Sequence, residues 1–452
     1  MTAEPAPPHP AHPTLREAFA YWLKLGCISF GGPAGQIALL HEDLVVRKRW
    51  ISEPRFMHAL NFCMLLPGPE AQQLATYLGW LLHRTRGGLL AGGLFVLPSL
   101  LLLIGLSWVY MAYGDVPALA GVLYGIKPAV TALVVSAAYR IGSRALRNAL
   151  HGSIALAAFL AIFALNLPFP LIVAAAGAAG YLGSRWSRAP AHSDQAEGRH
   201  SALAAVIDDS TPLPAHARSS WARFWRVLGT FLGLWLLVLG ILCAFCGWNG
   251  ALTQMAWFFT KAALLTFGGA YAVLPYVYQG AVQHYHWLSA AQMMDGLALG
   301  ETTPGPLIMV VSFVGFVGGW TQAVFGTGTH ALSGVVASLV VCFFTFLPSF
   351  LFIFLGAPLI ESTHGKLQFT APLAGITAAV VGVMVNLAIF FAYHVLWPAG
   401  LTGRFAWPAA LIGGAAALAL LRYRRGVIPV VLACGLAGFA LYTIEPVYIQ
   451  SL

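Results

Sequence analysis

Apolar residues fill most of this chain in long blocks, and polar residues gather in the short stretches between them. Continuous blocks near 88–112, 118–140, 151–165, 170–184, 224–246, 332–356, 371–396, 405–421 and 427–443 each read as an apolar helix. Four further blocks are interrupted. Leu15 to Phe30 stops at Gly31-Gly32-Pro33 and resumes from Ala34 to Val46. Phe56 to Leu66 stops at Pro67-Gly68-Pro69 and resumes from Glu70 to Leu82, and both interruptions recur in the second half. Each piece is about half a bilayer long at 1.5 Å per residue. Proline removes a donor and disfavours helix in the residue before it, while glycine allows a sharp bend. Pro33 and Pro69 suit the first turn of a new helix.

Composition narrows the class. Of 452 residues, 59% are hydrophobic and 9% charged, against about 25% charged in soluble proteins. A soluble globule, a disordered chain and a collagen-like chain are excluded, and the length leaves room for roughly ten to thirteen crossings of about 20 residues. The net charge of +9 fits basic cytoplasmic loops better than a nucleic-acid surface. Residues 1–13 lack the charged-then-apolar order of a cleaved signal and are expected to form a disordered cytoplasmic tail. Residues 185–223, rich in Ser, Pro, Ala and Arg, read as a flexible cytoplasmic linker. The expected organisation is a first repeat over 14–184, the linker, a connecting helix over 224–246 and a second repeat over 247–452. Cys243 and Cys246 form a CxxC inside an apolar helix, where small packing residues are the expected reading.

The halves are copies. An offset of 237 carries Lys24 onto Lys261, Phe30-Gly31-Gly32 onto Phe267-Gly268-Gly269, Trp50-Ile51-Ser52 onto Trp287-Leu288-Ser289, and Pro67-Gly68-Pro69 onto Pro304-Gly305-Pro306. At an offset of 250, Leu97-Pro98-Ser99 falls on Leu347-Pro348-Ser349. Duplicated halves with broken helices are a common plan of secondary transporters. With the linker inside, the connecting helix makes the second half inverted. Arg47-Lys48-Arg49 then decides between two topologies. Thirteen plain crossings place it outside; re-entrant hairpins at both interruptions place it inside with the other basic clusters, leaving only Arg404 outside. The expected fold is an all-α polytopic membrane protein whose two homologous halves have inverted topology and broken, re-entrant helices.

The motifs Phe30-Gly-Gly-Pro-Ala-Gly-Gln36, Leu65-Leu-Pro-Gly-Pro-Glu-Ala-Gln72 and Phe95-Val-Leu-Pro-Ser99 resemble the chromate ion transporter family. Thr266-Phe-Gly-Gly269 and Thr303-Pro-Gly-Pro306 look like the second copy in its long, two-domain form. The resemblance implies chromate efflux from the bacterial cytoplasm through the inner membrane, chromate resistance, and sulfate as the look-alike ligand. The copies differ: Gly32-Pro33 becomes Gly269-Ala270, and Pro69-Glu70 becomes Pro306-Leu307, so unequal contributions to a site are expected.

A dianion in a membrane needs donors in place of its water shell. Unpaired N–H groups at the starts of half-helices supply them, with about half a positive charge. The expected substrate residues are Lys24, Gly31, Gly32, Pro33, Gln36, Asn61, Pro67, Gly68, Pro69, Gln72, Lys261, Gly268, Gly269, Thr302, Thr303, Pro304, Gly305 and Pro306, with Gln73 nearby and His58 and Asp295 as weaker candidates. The plain alternatives are helix kinks and packing for the glycines and prolines, and snorkelling for Lys24 and Lys261. Glu70 and Glu301 are the proton-coupling candidates; an acid in a first helical turn also simply complements the helix dipole. Gly121, away from the motifs, is expected to accept a side chain that Gly68 would not. No metal cluster, nucleotide loop or hydrolase motif is present in the sequence, so no cofactor is expected. Beyond chromate, sulfate and lipid, no partner is implied, and a homodimer stays open. The favoured function is a secondary transporter driven by proton motive force or membrane potential. A passive anion channel, a transporter of sulfate or another oxyanion, and an intramembrane enzyme using Glu70 and Glu301 are the alternatives.

Overall fold

A computed structural model describes residues 10–30, 32–114, 116–146, 148–186, 205–208, 220–267, 269–326, 328–363, 370–398, 400 and 402–444. Most of the linker, at 187–204 and 209–219, lies outside the described residues, as do residues 1–9 of the tail and both Gly31 and Gly268.

The first half comprises α1 (Leu15–Ile28), α2 (Gly32–His41), α3 (Glu53–Cys63), α4 (Glu70–Tyr113), α5 (Pro117–Ala145), α6 (Ala149–Phe163) and α7 (Phe169–Trp186). Helix α8 (Trp221–Cys246) links it to α9 (Ala251–Leu265), α10 (Ala270–Tyr278), α11 (Ala290–Thr302), α12 (Val310–Gln322), α13 (His330–Thr363), α14 (Thr370–Leu396), α15 (Trp407–Leu421) and α16 (Val427–Ile444). Among the described residues six helices are long and apolar enough to cross a membrane, α4, α5, α8, α13, α14 and α16. Helices α6 and α15 have 15 residues each, about 22 Å, less than a full hydrocarbon core.

The duplication extends to backbone detail. One π turn spans Glu42–Arg47 and another Gln279–His284, again 237 residues apart. Positive φ angles occur in pairs, Arg49 with His286 and Gly68 with Gly305. Pieces 70–82 and 88–112 of the sequence pattern are two separate arms within α4 that reverse direction at His83-Arg84, where the φ of Arg84 is +57°, so that Gly79 packs against Ala91 and Gly92 against Thr76.

Local chemistry fixes where the short helices begin. Thr14 and Glu17 form a capping box on α1, Ser289 and Gln292 form one on α11, and the Ser52 hydroxyl caps α3, each cap worth about 1 kcal/mol. The interrupted segments fold back on themselves. Tyr21, midway along α1, packs against Trp50 with ring centroids 5.4 Å apart, and the Lys48 ammonium lies 5.5 Å above its ring. Phe258, the counterpart of Tyr21, meets Tyr285 and Trp287 at 5.7 and 5.6 Å. The Thr321 hydroxyl at the end of α12 donates to the Trp287 carbonyl at 3.1 Å, beside the start of α11. The hairpin topology therefore holds, and thirteen plain crossings do not.

The two hairpin pairs enter from opposite ends. At the bend that opens the long stretch of α4, His83 contacts the Pro13 carbonyl at the base of the first hairpin, 2.8 Å away. Twenty-seven residues later, Tyr110 donates to Asp295 near the base of the second pair at 2.9 Å. That stretch is about 40 Å of helix. Helix α13 runs the other way, from His330 beside Trp320 to Glu361 beside Arg55. The halves are inverted.

Two expectations change. The linker is not wholly loose: Ile207 bridges Ile51, with bonds from Val206 N–H to Arg49 O, Ile207 N–H to Trp50 O and Ser52 N–H to Ile207 O. Ile207 is buried because it fills the base of the first hairpin. Gly121 is not free: a Cβ there would stand 2.7 Å from Tyr442 Cβ, because α5 packs closely on α16.

Buried side chains form a core around the first hairpins, with Trp22, Tyr77 and Phe95, and a larger one around the second, with Phe259, Trp287 and Phe313. Phe245, Leu411 and Trp221 remain highly exposed, as lipid-facing side chains are.

Candidate functional site where the hairpin tips meet

The four tips meet between the halves through one bond made twice. Gly68 N–H donates to the Thr266 carbonyl at 2.7 Å, and Gly305 N–H donates to the Ser29 carbonyl at 2.8 Å. Thr266 is the counterpart of Ser29 and Gly305 of Gly68, so each half's Pro-Gly-Pro turn is held by the end of the other half's first helix. Ser29 and Thr266 hydroxyls close those helix ends onto Leu25 O and Ala262 O, both at 2.6 Å. The turns admit only glycine: φ is +131° at Gly68 and +105° at Gly305. A Cβ on Gly68 would stand 2.5 Å from both Gln73 Nε2 and Ser349 Oγ, and one on Gly305 2.6 Å from Ser99 Cβ.

Helix starts differ between bases and tips. At the bases, Thr14, Ser52 and Ser289 cap α1, α3 and α11, while α9 starts after Gly250 with no side-chain cap. At the tips, Pro69 before α4, Gly269 before α10 and Pro306 before the 3-10 turn that runs into α12 provide no side-chain cap. The first N–H groups there keep their donor capacity and the positive end of the helix dipole.

The two poles of this contact are unlike. At the first, Gln36 is buried and its Nε2 donates to Gly305 O at 2.5 Å and to Ser29 O at 3.3 Å. At the second, Gln73 Nε2 donates to Pro67 O at 2.8 Å. Here too a carboxylate oxygen of half-buried Glu70 lies 3.7 Å from where a Cβ on Gly269 would be. Two residues on, Tyr271 donates to Glu301 at 2.6 Å, and Arg140 of α5 acts electrostatically on both Tyr271 and Glu301. Both acids thus flank the first turn of α10. The counterparts of Glu70 and Glu301 are Leu307 and Met64, so the first pole has no acid at these positions.

Of the other sequence candidates, Gly32 and Pro33 open α2, and Pro67, Pro69, Pro304 and Pro306 frame the turns. Gln72 is buried with its Nε2 on Thr76 Oγ1 at 3.1 Å. Thr302 and Thr303 hydroxyls bond back to Ala298 O and Gly300 O at 3.1 and 3.0 Å. Asn61 is exposed on α3, and His58 is half-buried there. The lysines do not reach the tips. Lys24 is exposed in a cleft of about 470 Å³ at the base of the first hairpin, with Glu17, Tyr21, Asp43 and Lys48. Lys261 lines a cleft of about 470 Å³ at the base of the second, with Phe258, Gln279, His284 and Tyr285.

Sequence reading missed two polar clusters, naming only Asp295 among their members. Arg55 and Tyr77 both bond Glu361, and Lys127 and Tyr110 both approach Asp295, at 3.7 and 2.9 Å. Each ties a hairpin of one half to the long helix of the other. Each acid lies far along the chain from its partners, Glu361 306 residues from Arg55 and Asp295 185 from Tyr110, and no local pattern marks them.

Comparison with known proteins agrees with this architecture. A family model described as chromate transporter matches residues 16–181 and 253–439, one block in each half. A chromate transport protein of Cupriavidus metallidurans is 31% identical over 95% of this chain and 94% of its own length. One from Pseudomonas aeruginosa is 32% identical over 98% of this chain and 95% of its own. A probable chromate transport protein of Synechococcus elongatus is 28% identical over 84% and 85%. No solved structure matches the chain. With matching motifs in order and relatives aligned end to end, this membrane protein belongs to the chromate transporter family.

Proposed function

We propose that the chain is a secondary carrier that exports chromate from the bacterial cytoplasm across the inner membrane, with sulfate as a competing ligand. The observation that carries this reading is the meeting of helix starts left without side-chain caps between two inverted halves, where backbone N–H groups stay open, whereas three of the four helix starts at the hairpin bases are capped. Donors and dipole ends concentrated between the halves suit a tetrahedral oxyanion. The acid-free pole, with Gly32, Pro33, Gln36 and Gly305, takes the anion. The pole with Glu70 and Glu301 exchanges a proton. Lys24 and Lys261 attract anions at the mouths of the two clefts, and the tail and linker lie on the cytoplasmic side with the first hairpin bases.

Direction follows from charge. A cell interior is negative, and each elementary charge gains about 2.3 kcal/mol per 100 mV on leaving it as an anion. Efflux needs no ATP, and protons entering in exchange add to the drive. In everted membrane vesicles, chromate uptake should saturate and should slow when the potential is collapsed. Glu70→Gln should make the remaining uptake insensitive to an imposed pH gradient. Flux that never saturates would sink the carrier reading. A Glu70→Gln protein that keeps its pH response would move the coupling to Glu301.

A further inference from the structure

Most buried hydroxyls in these helices satisfy themselves on a carbonyl one turn back: Ser29, Thr76, Thr260, Thr266 and Thr345 all do so. Ser107 and Thr253 do not, and neither do Ser99 and Ser349, which unlike them lie against the hairpin turns. The exposures of Ser99 and Ser349 are 0% and 1%, and neither Oγ has a hydrogen-bond partner. They are counterparts near the middle of α4 and α13, and each side chain rests on the other half's Pro-Gly-Pro glycine, Ser99 on Gly305 and Ser349 on Gly68. A buried hydroxyl without a partner is destabilising, and alanine would occupy the place without that cost.

We propose that Ser99 is an oxyanion-binding residue, donating its hydroxyl to the tetrahedral anion at the acid-free pole. The proposal rests on the export reading above and deepens it. Through Gly305, Ser99 adjoins Ser29 and Gln36, and therefore the first turns of the ten-residue helix α2. Gln36 is held with its Nε2 on two carbonyls, which fixes the amide orientation. Ser349 has the same geometry at the other pole but stands beside the turn that leads to Glu70, where a carboxylate opposes an anion. The duplicated serine therefore binds anion on one side only.

The test is uptake kinetics in everted vesicles of cells making the full chain. Ser99→Ala should raise the chromate KM about tenfold, the loss expected for one hydrogen bond to a charged ligand, with a smaller change in maximal rate. Ser349→Ala should change KM by less than about threefold on the same scale. An unchanged KM in Ser99→Ala overturns the assignment, and so does an equal rise in both variants. Absence of saturable chromate uptake by the unaltered protein would overturn the export reading instead. If Ser99→Ala does not reach the membrane, Ser99→Cys is alkylated in vesicles and followed at residue 99 by mass spectrometry. Slowing by sulfate supports the proposal; equal labelling with and without sulfate, or none in either, overturns it.

Discussion

At the scale of single residues, the turn glycines carry the sharpest expectation. Gly68 holds a left-handed φ against two polar side-chain atoms. A side chain there meets both steric overlap and backbone strain of roughly 1–3 kcal/mol. Gly68→Ala should remove chromate transport while Gly93→Ala, on the same half and with nothing within 4 Å of its Cβ position, should leave it intact. Transport assays normalised to membrane content check this; equal activity of the two would mean the turn tolerates displacement. Gly68 and Gly305 were readable in the sequence because proline on both sides of glycine signals a backbone that helix cannot accept. The neighbours that give the turns their meaning were not. Tyr271 reaches Glu301 from thirty residues away, and Ser349 reaches Gly68 from the other half. Side-chain contacts of that range follow from packing, which local pattern does not encode.

At the scale of elements, apolar blocks and their interruptions foretold helices α5 to α8 and the arms of the four hairpins closely, because block length and Gly/Pro breaks are local. Loop charge alone did not settle whether the interrupted segments return, since Arg47-Lys48-Arg49 was its single witness. The edge-to-face contact of Tyr21 with Trp50, repeated by Phe258 with Trp287, settles it. Cysteines at Lys48 and His286, exposed positions at the two hairpin bases, should therefore label from opposite faces of the membrane with an impermeant reagent, Lys48→Cys only after permeabilisation. Labelling of both from outside would contradict inversion. The polar clusters at the two ends act as clasps between hairpin and long helix. Glu361 is 2% and Arg55 11% exposed at their side chains. Glu361→Ala takes the carboxylate away from a buried guanidinium and should lower stability by about 3 kcal/mol. Replacing Arg55 as well, as Arg55→Met with Glu361→Leu, should restore most of it in a thermal unfolding assay in detergent. A double variant as unstable as the single one would show that Tyr77 and packing, not charge, hold the clasp.

At the scale of the whole molecule, inversion was legible because one offset runs through three motifs and because a single connecting helix separates the copies. The division between an acidic and an acid-free pole was only half legible: the substitutions Pro69-Glu70 to Pro306-Leu307 showed that the copies differ, but not that both acids gather at one break. The reciprocal bonds from Gly68 to Thr266 and from Gly305 to Ser29 have a consequence for how such a chain can be assembled. Neither half contains the partner that holds its own turn, so each is a complementing fragment rather than a small transporter. A gene cut within codons 187–204 should yield two polypeptides that restore chromate resistance when made together and give none when made singly. The first fragment, ending before Ile207, would lack the bridging segment that fills its hairpin base, so the second must reach back and supply it. Two separate chains would then meet as lock and key at both the centre and the edge, each finishing the other's fold.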